Sequence, residues 1–286
     1  MSDTDPDSML TSARTEACRR HTASAESWLR KLVDRELQTR YGSHYLSSAG
    51  WKRALADYVA TQIKDHPGKF GREIDATTFE QLVDIVCHPD HWAEFQPGLE
   101  EAYPDGRQEA RTFLDRLRAI RNDVAHGRKC SSRQVEQARC YSNDIADSVK
   151  IYFREMNLEK EFNVPTFVAF HDNQGNAGPL TPGAYFRSVN LSDGDHRRLY
   201  PGDTLLLEVE VDASFDSEKY HVNWILKTVP RGGGDGCIAK IELTQAHVGE
   251  RMEVQFQLAT TNSWHRDSGG KDDVLDVHYR VLPPIA

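Results

Sequence analysis

The sequence predicts two domains of different class, an all-α helical bundle followed by an antiparallel β-sandwich. Three observations carry this. Apolar residues recur with a helical period up to about Asn157. They alternate with period two from Thr204 onward. Between the two lies a stretch rich in Pro, Gly, Asn and Asp, "NVPTFVAFHDNQGNAGPLTPGAYF". The expected division is a flexible polar tail over residues 1–20, a helical domain over 21–157 and a β-sandwich over 158–286. A chain of 286 residues has room for both.

The first helix is expected from Ala23, with Ser24 as candidate N-cap and Trp28, Leu29, Leu32, Val33 and Leu37 as its apolar stripe. "YGSHYLSSAG" breaks it. A second helix carries Trp51, Leu55, Tyr58, Val59 and Ile63. A short one begins near Thr77 or Thr78 and turns Phe79, Leu82, Val83 and Val86 inward, followed by an amphipathic piece with Trp92 and Phe95. The clearest stripe is Phe113, Leu117, Ile120 and Val124, stopped by Gly127. Ser131 and Gln134 have capping-box spacing for a last helix that buries Val135, Ala138, Ile145, Val149, Tyr152 and Met156. In the second half, "TLLLEVEV", "KYHVNWILKTV", "CIAKIEL", "RMEVQFQLA" and "VLDVHYRVL" read as short strands with no helices between them.

No run of apolar residues approaches the roughly 18 needed for a membrane helix, and the acidic start "MSDTDPDSML" is not a secretory signal. Five scattered cysteines without CxxC spacing point to free thiols in a reducing cytoplasm. The net charge of −9 argues against a general nucleic-acid binder. Yet from Arg111 to Arg139 eight basic residues face three acids, a local surplus that suits an anionic ligand.

Inside that window lies "RAIRNDVAHGRKC", where Arg121 and His126 are separated by four residues at the end of the clearest helix. An arginine fork neutralises charge on a phosphorane-like transition state. An imidazole moves protons to or from oxygen. RNA brings its own nucleophile, the 2′-hydroxyl, so a two-residue site suffices for phosphodiester cleavage. On one straight helix, five positions place the two side chains on different faces. Gly127 lets the chain leave the helix, and Asn122 stands on the same face as His126, placed to orient the imidazole. The alternative is a solvated helix end, with Arg121 paired to an acid such as Asp123. Arg118, Arg128 and Lys129 are candidate phosphate contacts.

"LRAIRNDVAHGR" at the end of an amphipathic helix, with a Trp-containing first helix, "TTFEQLVDIV" and "HWAEF" before it, resembles the HEPN superfamily (higher eukaryotes and prokaryotes nucleotide-binding). The resemblance covers about residues 23–156 and none of the β half. It implies that Arg121, Asn122 and His126 are the motif's Arg, polar and His positions. It implies a homodimer along the motif helix, with both copies lining one cleft. It also implies metal-independent endoribonuclease activity that leaves a 2′,3′-cyclic phosphate. Many toxin members carry a Tyr two residues after the His; here that position is Arg128. Some members are inactive binding modules. In the β half, "YPGDTLLLEVEV" and "YHVNWIL" loosely resemble immunoglobulin-like sensor domains appended to prokaryotic immunity proteins.

Other constellations are weaker. Cys87, His88 and His91 in "VCHPDH" have no completing ligand set, so no metal or other cofactor is expected. "VPRGGGDGC" precedes a strand rather than a helix, so it reads as a flexible hairpin loop and not a phosphate cradle. "NSWHRDSGGKDD" is a long polar loop whose Trp264, His265 and Arg266 suit either a ligand contact or a mobile connection. Trp224 reads as core. The functional expectation is a cytoplasmic RNA-cleaving effector of a prokaryotic defence or toxin system, regulated by a small molecule or protein at the β domain. The competing class is a non-catalytic adaptor that dimerises through its α half and recruits a partner through its β half.

Overall fold

A computed structural model describes residues 6–48, 51, 53–66, 70–180, 185–192 and 198–284. The chain forms two compact units that divide after Phe162.

The helical unit comprises α1 (Pro6–Tyr41), α2 (Tyr45–Ser48), α3 (Arg53–Asp65), α4 (Phe79–Val86), α5 (Trp92–Phe95), α6 (Arg107–Ala125), α7 (Ser132–Glu155) and α8 (Glu159–Phe162). Its core is α1 against α6 and α7. Trp28, Leu29, Leu32, Val33 and Leu37 are fully buried, as the stripe predicts. Trp28 meets Phe153 of α7 at 6.5 Å between ring centroids. Thr78 caps α4 through a reciprocal box with Gln81, and Phe79, Leu82, Val83 and Val86 are buried behind it. On α7, Phe153 takes the core place expected of Met156, which is 48% exposed at the helix end.

The polar tail needs correction. Residues 6–20 are helical, so Ser24 lies inside α1 and caps nothing. Thr11, Thr15, Cys18 and Thr22 fall at helical spacing on a sheltered face. Being small and mostly polar, they leave no apolar stripe to read. Thr15 and Thr22 return their hydroxyls to the carbonyls of Thr11 and Cys18, at 3.1 and 2.9 Å. Residues 1–5 of the expected tail lie outside the described residues.

The second unit is a sandwich of two sheets. The strands are β1 (Phe167–Asp172), β2 (Ala177–Pro179), β3 (Phe186–Leu191), β4 (Thr204–Val211), β5 (Tyr220–Leu226), β6 (Gly232–Asp235), β7 (Ile238–Glu242), β8 (Gly249–Thr260) and β9 (Asp273–Val281). One sheet has the order β2-β1-β4-β7, the other β3-β9-β8-β5-β6. Leu205, Leu207 and Val209 of the first face Val254, Phe256, Leu275 and Val277 of the second in one core. Phe167 and Phe256 touch across it with ring centroids 6.3 Å apart. The sandwich is mixed rather than purely antiparallel, because β3 runs parallel to β9, with Phe186 opposite Val274.

The glycine-rich loop is also corrected. Gly232–Asp235 is an edge strand paired to β5, with Gly234 opposite Trp224. A Cβ on Gly234 would stand 3.0 Å from the indole nitrogen of Trp224, so any larger residue would push the ring from its place across the neighbouring strand. Trp224 is accordingly half-buried at the core margin. Among the described residues, no helix is long and apolar enough to cross a membrane. All five cysteines are free.

Candidate functional site

The site is built on the turn from α6 to α7. Ala110, Leu114, Leu117 and Ile120 bury one face of α6, while Phe113 and Val124 are half-buried. The helix ends at His126, whose backbone has φ −91° and ψ 12°. Gly127 follows at φ +66°, in the left-handed region that favours glycine. Gly127 N–H donates to the Val124 carbonyl at 3.0 Å and Arg128 N–H to the Asp123 carbonyl at 2.9 Å. These two bonds make a complete Schellman stop. Four residues later Ser131 opens α7. Its N–H donates to Gln134 Oε1 at 2.9 Å, and its Oγ accepts from Gln134 N–H at 3.3 Å. The loop is held from beneath at Cys130, whose N–H donates to Thr15 Oγ1 of α1 at 3.3 Å. Burial and the adjacent Cys130 thiol push the Cys18 thiol up to about 12.

His126 is exposed and Arg121 half-exposed. The structure does not bring Arg121 to Asp123. That carboxylate accepts from Arg128 at 3.0 Å and from Gln134 Nε2 at 3.0 Å. Among the described residues, neither the Arg121 guanidinium nor the His126 imidazole has a hydrogen bond or ion pair. Nor does the Asn122 side chain, so Asn122 does not orient the imidazole within one chain. Five positions at 3.6 residues per turn set Arg121 and His126 about 140° apart around the helix axis.

The basic window is less free than its local count implies. Arg111 pairs with Asp84 at 2.7 Å and Asp115 at 3.0 Å. Arg118 pairs with Glu80 at 3.4 Å and Asp115 at 3.3 Å. Arg128 is held by Asp123 at 3.0 Å. The Arg116 guanidinium lies over the Phe113 ring at 5.2 Å. Glu80 and Asp84 come from α4, outside the window, and α4 packs on α6. Of the three candidate phosphate contacts, Lys129 is the one left without an ion pair among the described residues. Arg133, in the first turn of α7, is in the same state and was not singled out by the sequence.

The β unit offers two further clusters. In the 262–273 loop, His265 Nδ1 lies 3.0 Å from Asp272 Oδ2. Asp272 is fully buried and also accepts from Thr260 N–H at 2.7 Å, Thr260 Oγ1 at 2.8 Å and Arg266 N–H at 3.1 Å. Burial alone would raise its carboxyl, but these donors outweigh it and hold it below the usual carboxylate value. The loop is thus pinned by a buried anion. Across β8 and β9, Glu253, Asp276 and His278 bring ligand-type atoms within 4.8 Å of one another. Lys227 Nζ already sits 2.6 Å from Glu253 and 3.1 Å from Asp276. Arg251 Nε donates to His278 Nδ1 at 3.1 Å. Burial and the Arg251 charge push this imidazole below its usual value. The two carboxylates therefore have their cations from the chain itself. No sequence spacing could reveal this group, because its members meet only through strand pairing.

The family model described as Swt1-like HEPN matches residues 24–150. None of the curated proteins compared with the chain matches it. The matched span ends within α7 and includes α6, the motif turn and the α7 cap. The chain therefore carries an N-terminal HEPN domain, followed by an all-strand region that forms two sheets.

Proposed function

We propose that the protein is a metal-independent endoribonuclease that works as a homodimer in a prokaryotic defence or toxin system. In this reading the RNA 2′-hydroxyl attacks the adjacent phosphorus and the 5′-oxygen leaves. The products are a 2′,3′-cyclic phosphate and a 5′-hydroxyl. His126 moves the proton at one of these oxygens and Arg121 neutralises the charge that builds on the phosphoryl oxygens. The second copy, packed along α6, supplies the partner groups that one chain holds on the other side of its helix. Asn122 belongs to the same cleft, and Lys129 with Arg128 and Arg118 steers the RNA backbone. The β unit binds the small molecule or protein that controls the effector, and the free thiols fit a cytoplasmic setting.

One observation carries the reading. Within a HEPN domain, Arg121 and His126 are left unpaired among the described residues, while Arg111, Arg118 and Arg128 beside them are in ion pairs. Leaving a guanidinium and an imidazole open at one rigid turn serves a ligand rather than the fold. The test is incubation with single-stranded RNA in excess chelator, followed by analysis of the product ends. Cyclic-phosphate ends that vanish in His126→Ala are expected. A folded, dimeric protein that cleaves no RNA contradicts the proposal and leaves the adaptor class.

A further inference from the structure

The motif turn contains a brace that the catalytic reading does not use. Asp123 lies two residues after Arg121, at a position where a carboxylate next to RNA phosphate is electrostatically unfavourable. Yet it is half-buried, and each of its carboxylate oxygens accepts a hydrogen bond. Its Oδ2 accepts from Gln134 Nε2 at 3.0 Å, eleven residues on and across the turn. Its Oδ1 accepts from Arg128 at 3.0 Å, and its backbone carbonyl accepts from Arg128 N–H at 2.9 Å. Gln134 is shared in turn. Its Oε1 accepts from both the N–H and the Oγ of Ser131 at 2.9 Å, while its Nε2 reaches Asp123. One amide side chain therefore does two jobs with two different atoms. The oxygen caps α7, and the nitrogen ties that cap to the last turn of α6.

Building on the nuclease reading, we propose that Asp123 and Gln134 are positioning residues for His126. The link closes a ring from Asp123 through His126, Gly127 and Ser131 to Gln134. Inside that ring the backbone at His126 and Gly127 is fixed from both ends, while the imidazole itself takes no partner among the described residues. The turn holds the ring by its backbone and leaves both ring nitrogens for the substrate. Beside that link, the Arg128 ion pair gives Asp123 an internal cation, which blunts its repulsion of RNA.

The bond is unusual in being separable from the cap. Glu at the third helical position makes the same capping box as Gln. Gln134→Glu therefore keeps the acceptor for Ser131 and the start of α7, but replaces the donor to Asp123 with a second carboxylate. The paired change Asp123→Asn with Gln134→Glu reverses which partner donates and restores the link. Three proteins are compared with the wild type: each single change and the pair. The readouts are steady-state RNA cleavage and the imidazole carbon–proton resonance of His126 by NMR. Gln134→Glu is expected to lower kcat about 10- to 100-fold with KM within about twofold, the size of effect that a misplaced reacting group produces. Its His126 resonance broadens or splits. The paired change returns kcat to within about threefold of wild type and sharpens the resonance.

Wild-type cleavage and an unchanged imidazole signal in Gln134→Glu overturn the proposal, as does failure of the paired change to restore either readout. A folded wild type that cleaves no RNA overturns the nuclease reading instead. The resonance series then decides the brace alone: broadening with rescue supports it, and an invariant signal overturns it.

Discussion

The motif turn and the 262–273 loop each place a histidine with an arginine close by in sequence, and they treat the histidine in opposite ways. In the β loop the imidazole of His265 is itself the fastener, tied to the fully buried Asp272. In the motif turn the carboxylate of Asp123 fastens the backbone and the neighbouring helix, and the imidazole of His126 stays open. An Arg and His in adjacent sequence therefore say little by themselves. The two histidines differ in which atoms the nearest carboxylate holds. A His whose ring is consumed by a buried anion stabilises a loop. A His whose backbone is fixed while its ring is unpaired keeps both ring nitrogens open to a ligand.

Removing the open cation has the largest expected effect. Arg121→Ala is expected to lower RNA cleavage about 100- to 1,000-fold, the usual cost of deleting a donor to transition-state charge. Arg121→Lys recovers little, because an ammonium lacks the bidentate fork. Denaturation midpoints of both variants stay near wild type, since the Arg121 guanidinium has no hydrogen bond or ion pair among the described residues; a large drop in stability would assign it to the fold.

The next effect lies in the β loop. Asp272→Ala strands the Thr260 and Arg266 donors and is expected to cost about 3 kcal/mol, within the range for buried bonds to a charged acceptor. Chemical denaturation followed by Trp fluorescence measures it. RNA cleavage by the folded fraction stays at the wild-type rate.

A milder effect is the pH profile. The Asp272 carboxyl is held below its ordinary value in the folded state. Its stabilisation is therefore fully present above the unfolded value of about 4 and is lost as pH falls through the lower folded value. Asp272→Asn should lower stability at neutral pH and flatten the fall in stability below about pH 4. An acid limb as steep as wild type would assign that limb to other carboxylates.

The smallest effects separate the basic residues. Lys129→Ala should weaken RNA binding uniformly and reduce the slope of log affinity against log salt by about 1. Arg118→Ala should change it less, because that guanidinium is engaged by Glu80 and Asp115. Equal slopes for the two variants would mean that RNA displaces those acids.

Much of the fold is legible in the sequence because its signals are local. Gly127 stops α6 and the Ser131–Gln134 box starts α7 within a few residues, where steric and capping rules act directly. The alternation of β4, β5 and β8 is visible for the same reason. The first turns of α1 are not legible, because small threonines and a cysteine shelter beside the motif loop without making a stripe. The parallel pairing of β3 with β9 joins residues nearly ninety positions apart and leaves no trace in either strand's pattern. In the site, the Arg121 and His126 positions are readable from the motif, but their states are not. Neutralisation of Arg111 and Arg118 depends on Glu80 and Asp84, some thirty positions earlier. The pairing of Asp123 with Gln134 rather than Arg121 joins residues eleven positions apart across the turn, which no single-helix spacing reveals.

On the proposed function, the open histidine and not the fastened one performs chemistry. His126→Ala and His265→Ala assayed side by side for RNA cleavage in excess chelator test it most directly. The expected result is loss of about 100-fold or more in His126→Ala with wild-type cleavage in His265→Ala. Equal activity in the two variants, or loss confined to His265→Ala, would contradict it.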